Sequence, residues 1–163
     1  MSELSFRDTP VPSDRDVVRQ LALACGGFSP AEIEIAVELV EDRLARGLSA
    51  SGYHFLFAQW APGVPSLGYA CYGPIALTAA SWDLYWIAVA KPGQGRGIGR
   101  RLLAEVERRA AALGAASLHA DTSGREAYAR TRAFYAGAGY ARAAELPDFY
   151  GPGDAKVVFV KRL

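Results

Sequence analysis

The run SWDLYWIAVAKPGQGRGIGRRLLAEVERRAAALGAASLHAD, residues 81–121, sets the tightest limit on the fold. Trp82–Ala90 is a stretch of aromatic and branched side chains suited to a strand. From Arg100 to Leu113, Leu102, Leu103, Val106, Ala110 and Leu113 share one side and Arg or Glu the other. That is an amphipathic helix, ended by Gly114. Ser117–Asp121 is a strand again. Strand, helix and strand in that order need a right-handed crossover between parallel neighbours. The link into the helix carries glycine at positions 93, 95, 97 and 99. It lies at the carboxyl end of the crossover's first strand, where α/β proteins bind ligands.

The flanking sequence fills in the rest. Residues 4–9 read as a short edge strand ended by Pro10 and Pro12. Ser13 to Cys25 has apolar residues at helical spacing and stops at Gly26-Gly27. Ser29-Pro30-Ala31-Glu32 spells a capping box with proline in the first turn, opening a helix that Gly47 is expected to stop. Tyr53–Trp60 and Leu67–Tyr72 read as a hairpin. Ser123-Gly-Arg-Glu126 spells a second capping box, for a helix through Phe134 and Tyr135 to Gly137. Tyr140–Ala144 and Lys156–Arg162 are the last strands, joined by the turn-rich DFYGPGD, residues 148–154. The expected fold is α/β (α+β), a mixed sheet of about seven strands with about four helices, in a single domain spanning 1–163.

Composition removes several function classes. The net charge is +1, and Lys and Arg are dispersed, so no nucleic-acid surface is expected. Cys25 and Cys71 form neither a disulfide framework nor a CxxC zinc pattern, and no metal is expected. No signal-peptide core or membrane-length apolar run is present, so a cytoplasmic protein without a membrane partner is expected.

Two familiar phosphate loops fail on spelling. Gly95-x-Gly97 is followed by Arg100 where a dinucleotide fingerprint needs glycine, and no P-loop Lys-Ser/Thr follows. What remains is backbone N–H groups at a helix N-terminus with Arg96 and Arg100 beside them, an arrangement that favours a pyrophosphate. The alternative is a tight turn using glycine for positive φ.

The spelling Gln94-Gly95-Arg96-Gly97-Ile98-Gly99 resembles the Gln/Arg-x-x-Gly-x-Gly/Ala loop of the GNAT N-acetyltransferases. The strand Leu84–Val89 looks like that family's fourth strand, and Phe134-Tyr135 followed by Gly139-Tyr140 is similar to its next signature. Element order agrees from about residue 4 to 162, so the resemblance spans nearly the whole chain and implies the GNAT sheet, mostly antiparallel. It implies acetyl-CoA as co-substrate, with its pyrophosphate on the amides of residues 94–99 and Arg100 beside them. The pantetheine would lie along Ile87, Ala88 and Val89, the Val89 amide polarising the thioester carbonyl. Tyr135 stands where the family has its thiolate-protonating tyrosine; packing against the sheet is its other reading. Many relatives carry Asn seven residues before that tyrosine, where this chain has Tyr128; Thr131 or Arg132 is expected to take over the contact with the cofactor.

Acetyl transfer to an amine also needs a proton acceptor. Asp83 lies eleven residues before Gln94, the register of the base in some lysine-acetylating relatives, and a solvated strand-start Asp is the competing reading. His54 and His119 read as structural histidines, and Cys71 lacks a basic neighbour to activate it. Asp148, Tyr150 and Asp154 either make a hairpin loop or line the acceptor pocket. The expectation is acetyl transfer to a primary amine of a small molecule by direct attack in a ternary complex. A protein or peptide acceptor and a non-catalytic acyl-CoA sensor are the alternatives, and a homodimer is compatible with each.

Overall fold

The computed structural model of the chain describes residues 3–163; Met1 and Ser2, the start of the expected 1–163 domain, lie outside them. The elements are β1 Ser5–Arg7, α1 Asp14–Cys25, α2 Pro30–Ser51, β2 His54–Gln59, β3 Gly68–Pro74, β4 Ser81–Val89, α3 Ile98–Ala112, β5 Ser117–Ser123, α4 Ala129–Gly137, β6 Ala141–Gly151 and β7 Asp154–Arg162. Single 3-10 turns at Lys91–Gly93 and Glu126–Tyr128 precede α3 and α4. The strands make one sheet in the order β1-β2-β3-β4-β5-β7-β6. β4 and β5 are parallel, as the crossover requires, with Asp83 opposite His119. The pairs β1–β2, β2–β3, β5–β7 and β6–β7 are antiparallel. The sheet is mixed and mostly antiparallel. No helix among the described residues is long and apolar enough to cross a membrane.

Contacts divide the chain into two compact units. The first comprises the residues up to Gly73 together with Trp86–Val106. Its core sets Val18 and Leu21 of α1 and Ala36, Val37 and Val40 of α2 on Phe55, Phe57, Tyr69, Cys71 and Ala88 of the strands. Each of its Val, Leu and Phe side chains contributes about 1.5–3 kcal/mol when fully buried. The Ser29 capping box forms as spelled: Ser29 Oγ accepts from the Glu32 amide at 3.3 Å, and the Glu32 carboxylate accepts from the Ser29 amide at 2.7 Å. Gly47, expected to stop α2, breaks it at φ 76° and ψ 175°, and the helix resumes to Ser51. Asp14, 1% exposed, is satisfied in the interior: Arg7 grips it through two bonds of 2.7 and 2.8 Å and the Val11 amide donates a third.

The second unit comprises Pro74–Tyr85 and Glu107–Leu163. Leu118 and Ala120 of β5 and Val157 and Phe159 of β7 are buried, as are Tyr135 and Tyr140. Glu107 accepts from the Tyr140 hydroxyl at 3.0 Å and from Lys161 at 2.8 Å, tying α3 to this unit's last strand. Two expectations change here. Ser123 does not cap a helix: its hydroxyl donates to Asp154 and accepts from the Arg125 amide, so α4 starts only at Ala129 and without a side-chain cap. DFYGPGD is mostly strand, since β6 runs to Gly151 with register shifts after Arg142 and Leu146. The turn itself shrinks to Pro152-Gly153.

Candidate active site

In the first unit, the alternate glycines have separate causes. A Cβ on Gly93 would stand 3.0 Å from Cδ1 of Ile98 and 3.1 Å from Cγ1 of Val89, so the turn packs too tightly for a side chain. Gly95 and Gly97 have φ 73° and 75°, the left-handed region that L-residues avoid. A Cβ on either would meet nothing within 4 Å. Gly99 lies in the first turn of α3. Turn geometry therefore explains more of this spelling than the sequence suggested, and it leaves open ground before Gly95 and Gly97. The Arg101 amide donates to the Gly97 carbonyl at 3.0 Å, closing the first helical turn. Amides ahead of such a turn have no intrahelical partner, and they sit at the positive end of the macrodipole.

Side chains fix this segment in place. Gln94 Nε2 donates to the Val89 carbonyl at 2.9 Å, joining the loop to the end of β4. Ile98 is 1% exposed and anchors the start of α3. Arg96 stacks its guanidinium 5.2 Å from the Trp60 ring centroid, and Arg100 is exposed. Gly68 of β3 lies so close to β4 that a Cβ there would stand 2.7 Å from the Ala88 carbonyl oxygen. Ile87 and Val89 are half-buried and Ala88 is buried.

In the second unit, Asp83 is half-buried beside His119, its register partner on β5. Burial raises its carboxyl above the usual range and Asp121 adds to the rise, while His119 and Lys156 oppose it. Lys156 Nζ sits 2.7 Å from Asp121 Oδ2. After burial, the neighbours that tune Asp83 are charged groups on β5 and β7. Ser117 Oγ lies 3.1 Å from His119 Nε2. Tyr135 is 5% exposed against Phe134, Tyr140 and Phe159, with ring centroids 5.4, 5.6 and 5.5 Å away. Burial, then the charge of Asp121, holds its phenol well above the ordinary value, so it stays protonated.

Other residues singled out in the sequence have structural partners. Arg132 donates to the carbonyls of Ser123 and Arg125 at 2.8 and 2.7 Å, and Thr131 is half-buried on the same helix. Asp148 accepts from the Gly153 amide at 2.7 Å within the hairpin, and Asp154 pairs with Arg125 at 3.2 Å. His54 stacks on Tyr72 with centroids 5.4 Å apart, and burial, then Arg43, lowers its pKa. Burial pushes the Cys71 thiol far up, which removes it as a nucleophile. No group of three or more His, Cys, Asp or Glu among the described residues could hold a metal ion.

A family model described as an acetyltransferase (GNAT) domain matches residues 51–142. A solved chain from Desulfovibrio desulfuricans, described as an acetyltransferase of the GNAT family, is 42% identical, with 98% of this chain and 99% of that one covered at TM-score 0.93. The chain belongs to the GNAT acetyltransferase family. Its fold is also similar to the ribosomal-protein-S18-alanine N-acetyltransferase from Escherichia coli, at 18% identity, TM-score 0.73, and 98% and 94% coverage. An aminoglycoside 6'-N-acetyltransferase in complex with coenzyme A is similar at 17% identity, TM-score 0.73, and 98% and 96% coverage. No curated protein sequence matches the chain.

For a GNAT acetyltransferase, the residues that sequence reasoning missed are Asp121 and Lys156. Asp121 shares strand parity with His119, so the alternation of Ser117–Asp121 held its signal. Lys156 had no local signal, because its tie to Asp121 depends on the register of β5 with β7, set by Ser123 opposite Lys156.

Proposed function

We propose that this enzyme moves the acetyl group of acetyl-CoA to the primary amine of a cationic small molecule in the cytoplasm, by direct attack in a ternary complex. The observation that carries the reading is the open backbone at Gly95 and Gly97, immediately ahead of α3, with Arg96 between them and Arg100 in the first turn of the helix. That cradle fits a pyrophosphate, because amide donors, a positive helix end and guanidiniums act on the same anion. Acetyl-CoA supplies an activated thioester and that anionic handle. Gln94, Gly95, Arg96, Gly97, Ile98, Gly99 and Arg100 would hold the handle, and Ile87, Ala88, Val89, Thr131 and Tyr135 the rest of the cofactor. The Val89 amide would polarise the thioester carbonyl, and Tyr135, kept neutral by burial, would give its proton to the departing sulfur. Asp83 takes the ammonium proton of the acceptor, directly or through one water, and its raised pKa brings it toward working pH.

The carboxylates Asp83 and Asp121 favour a cationic acceptor. Relatives of this fold act on both aminoglycosides and a ribosomal protein, so the likeness does not choose the class. The experiment is release of free thiol from acetyl-CoA with polyamines, aminoglycosides, amino-acid amides and peptides with N-terminal alanine. Turnover of a small amine is expected. Turnover confined to peptides would overturn the acceptor class, and tight binding of acetyl-CoA with no turnover would leave a sensor.

A further inference from the structure

One face of the sheet in the second unit changes chemistry from strand to strand. Asp83 of β4 is paired with His119 of β5, His119 with Val160 of β7, and Val160 with Ala141 of β6. The next row sets Asp121 of β5 beside Val158 of β7 and Ala144 of β6. A third sets Lys156 beside Leu146. Register partners point to the same side of a sheet, as do residues two apart along a strand, so these side chains share one face. The opposite face is the packed one. Leu118, Ala120, Val157 and Phe159 are buried there, with Tyr135 of α4 against Phe159.

A bulge sorts the side chains of β6. Its register shifts between Arg142 and Ala144, so Arg142 is paired with Phe159 and Glu145 with Val157. Both charges therefore lie on the Phe159 side of the sheet, where they pair at 2.6 Å. In an unbroken strand, residues three apart would take opposite faces. The other side of β6 is left apolar. Ala141, Ala144 and Leu146 are exposed, Leu146 at 44%, next to half-buried Val158 and Val160. At one end of this strip Lys156 lies 4.8 Å from the Phe149 ring centroid and is held at 2.7 Å by Asp121. Single exposed apolar side chains are ordinary, but a contiguous strip beside a charged site marks a ligand surface.

We propose that the acceptor is a monoamine with an extended apolar body, its ammonium at Asp83 and Asp121 and its body crossing Val160 and Val158 to Ala144 and Leu146. This rests on the acetyltransferase reading and names the class of amine that the same site takes. Charge complementarity sets the direction: the carboxylates stand on β4 and β5, and no charged side chain of β6 shares this face up to Leu146. Two strand spacings, about 10 Å, separate β5 from β6, so a body of that length covers the strip. A second ammonium at its far end would leave water for apolar ground, which costs more than the burial returns. Lys156, already paired with Asp121, closes the third row to a cation.

The test measures thiol release from saturating acetyl-CoA with propylamine, octylamine and 1,8-diaminooctane. A fully buried methylene is worth about fourfold, and about twofold is expected on an open face. Octylamine should therefore exceed propylamine in kcat/KM by about thirtyfold, and the diamine should lose most of that gain. Leu146→Asn and Val158→Thr should each cut the octylamine-to-propylamine ratio about tenfold, with Leu146→Met keeping it. Arg142→Gln, on the opposite face, should leave the ratio unchanged. The methyl resonances of Leu146, identified by their loss in Leu146→Asn, should move with octylamine and CoA but not with propylamine and CoA. A ratio below about threefold in wild type, a diamine as good as octylamine, or unmoved Leu146 methyls would each overturn the proposal. So would light scattering that shows a dimer in wild type and a monomer in Leu146→Asn, since a second copy would then own the strip. Thiol release from no amine strikes the acetyltransferase reading and this inference with it, whereas turnover of propylamine without a gain for octylamine strikes this inference alone.

Discussion

The Lys156 ammonium stands 2.7 Å from Oδ2 of Asp121, and both charges act on the carboxyl of Asp83 with opposite sign. Asp121 raises the Asp83 pKa and Lys156 lowers it, on top of the rise that burial causes. The two neighbours therefore give opposite tests. Asp121→Asn should lower the Asp83 pKa, because one raising charge is lost. Lys156→Gln should raise it, because one opposing charge is lost and Asp121 is left unneutralised. Carbon-13 NMR titration of the Asp83 carboxyl reads both shifts without needing an acceptor. Shifts of the same sign in the two variants would mean that Asp83 does not sense this pair.

Removing the Asp83 carboxylate is the second test. Asp83→Asn keeps shape and hydrogen bonding but cannot take a proton, so turnover at neutral pH should fall by about 10²–10⁴. In wild type, activity should rise with pH through the Asp83 pKa, which burial has lifted. The variant should lose that limb and recover part of its rate at higher pH as free amine accumulates. Stability moves the other way. A carboxyl whose folded pKa exceeds its unfolded one binds more protons when folded, so stability falls as pH rises between the two values. Asp83→Asn should therefore melt slightly higher than wild type at neutral pH, the gain being small for a half-exposed group. Wild-type rates across pH 6–9 would return Asp83 to the surface reading.

Tyr135→Phe tests the proton donor. The ring packs among Phe134, Tyr140 and Phe159, and Phe preserves that packing. Affinity for acetyl-CoA should hold while turnover drops on the order of ten- to a thousandfold. Equal turnover in the two proteins would leave Tyr135 a packing residue only.

Much of this fold was legible because local signals agreed with the tertiary structure. The strand, glycine link and helix of 81–112 forced a parallel crossover, and Ser29 with Glu32 formed the capping box they spelled. The second capping box failed because Ser123 had a competing partner, Asp154, thirty-one residues away. No local window contains that competition. The extent of β6 was hidden for a related reason: Pro147, and Asp148 at φ 55°, read as turn residues, yet an edge strand with register shifts accommodates both. At the site, residue types on the glycine link and on β4 were readable. The charges around Asp83 were not, since they meet through pairing of β4, β5 and β7.

The glycine link separates ligand effects from backbone effects. Gly99→Glu places a carboxylate in a helical first turn with no positive φ, and should abolish acetyl-CoA binding with little loss of stability. Gly97→Glu should also abolish binding, but with an added cost of about 1–2 kcal/mol for a left-handed residue at φ 75°. Calorimetry and thermal melts together resolve the two. Unchanged affinity in both variants would remove the pyrophosphate from this loop.

Gly68 ties the strand expected to carry the thioester to its neighbour. A Cβ there would lie 2.7 Å from the Ala88 carbonyl oxygen, with Val89 Cγ2 and Cα at 3.1 and 3.3 Å. The closest of these is backbone, so no rotamer change relieves the clash and β3 or β4 must shift. Overpacking of this kind costs about 1–3 kcal/mol. Gly27→Ala is the stability control, since its Cβ would meet nothing within 4 Å and its φ is not positive; it should stay within about 0.5 kcal/mol of wild type. Gly68→Ala should also weaken acetyl-CoA binding, because Ala88 and Val89 are the residues assigned to the pantetheine and a displaced backbone presents their amides wrongly. Melting curves and calorimetry on the same samples decide the matter: a destabilised Gly68→Ala with full cofactor affinity would separate the packing of β3 on β4 from binding, and take Ala88 and Val89 out of the site.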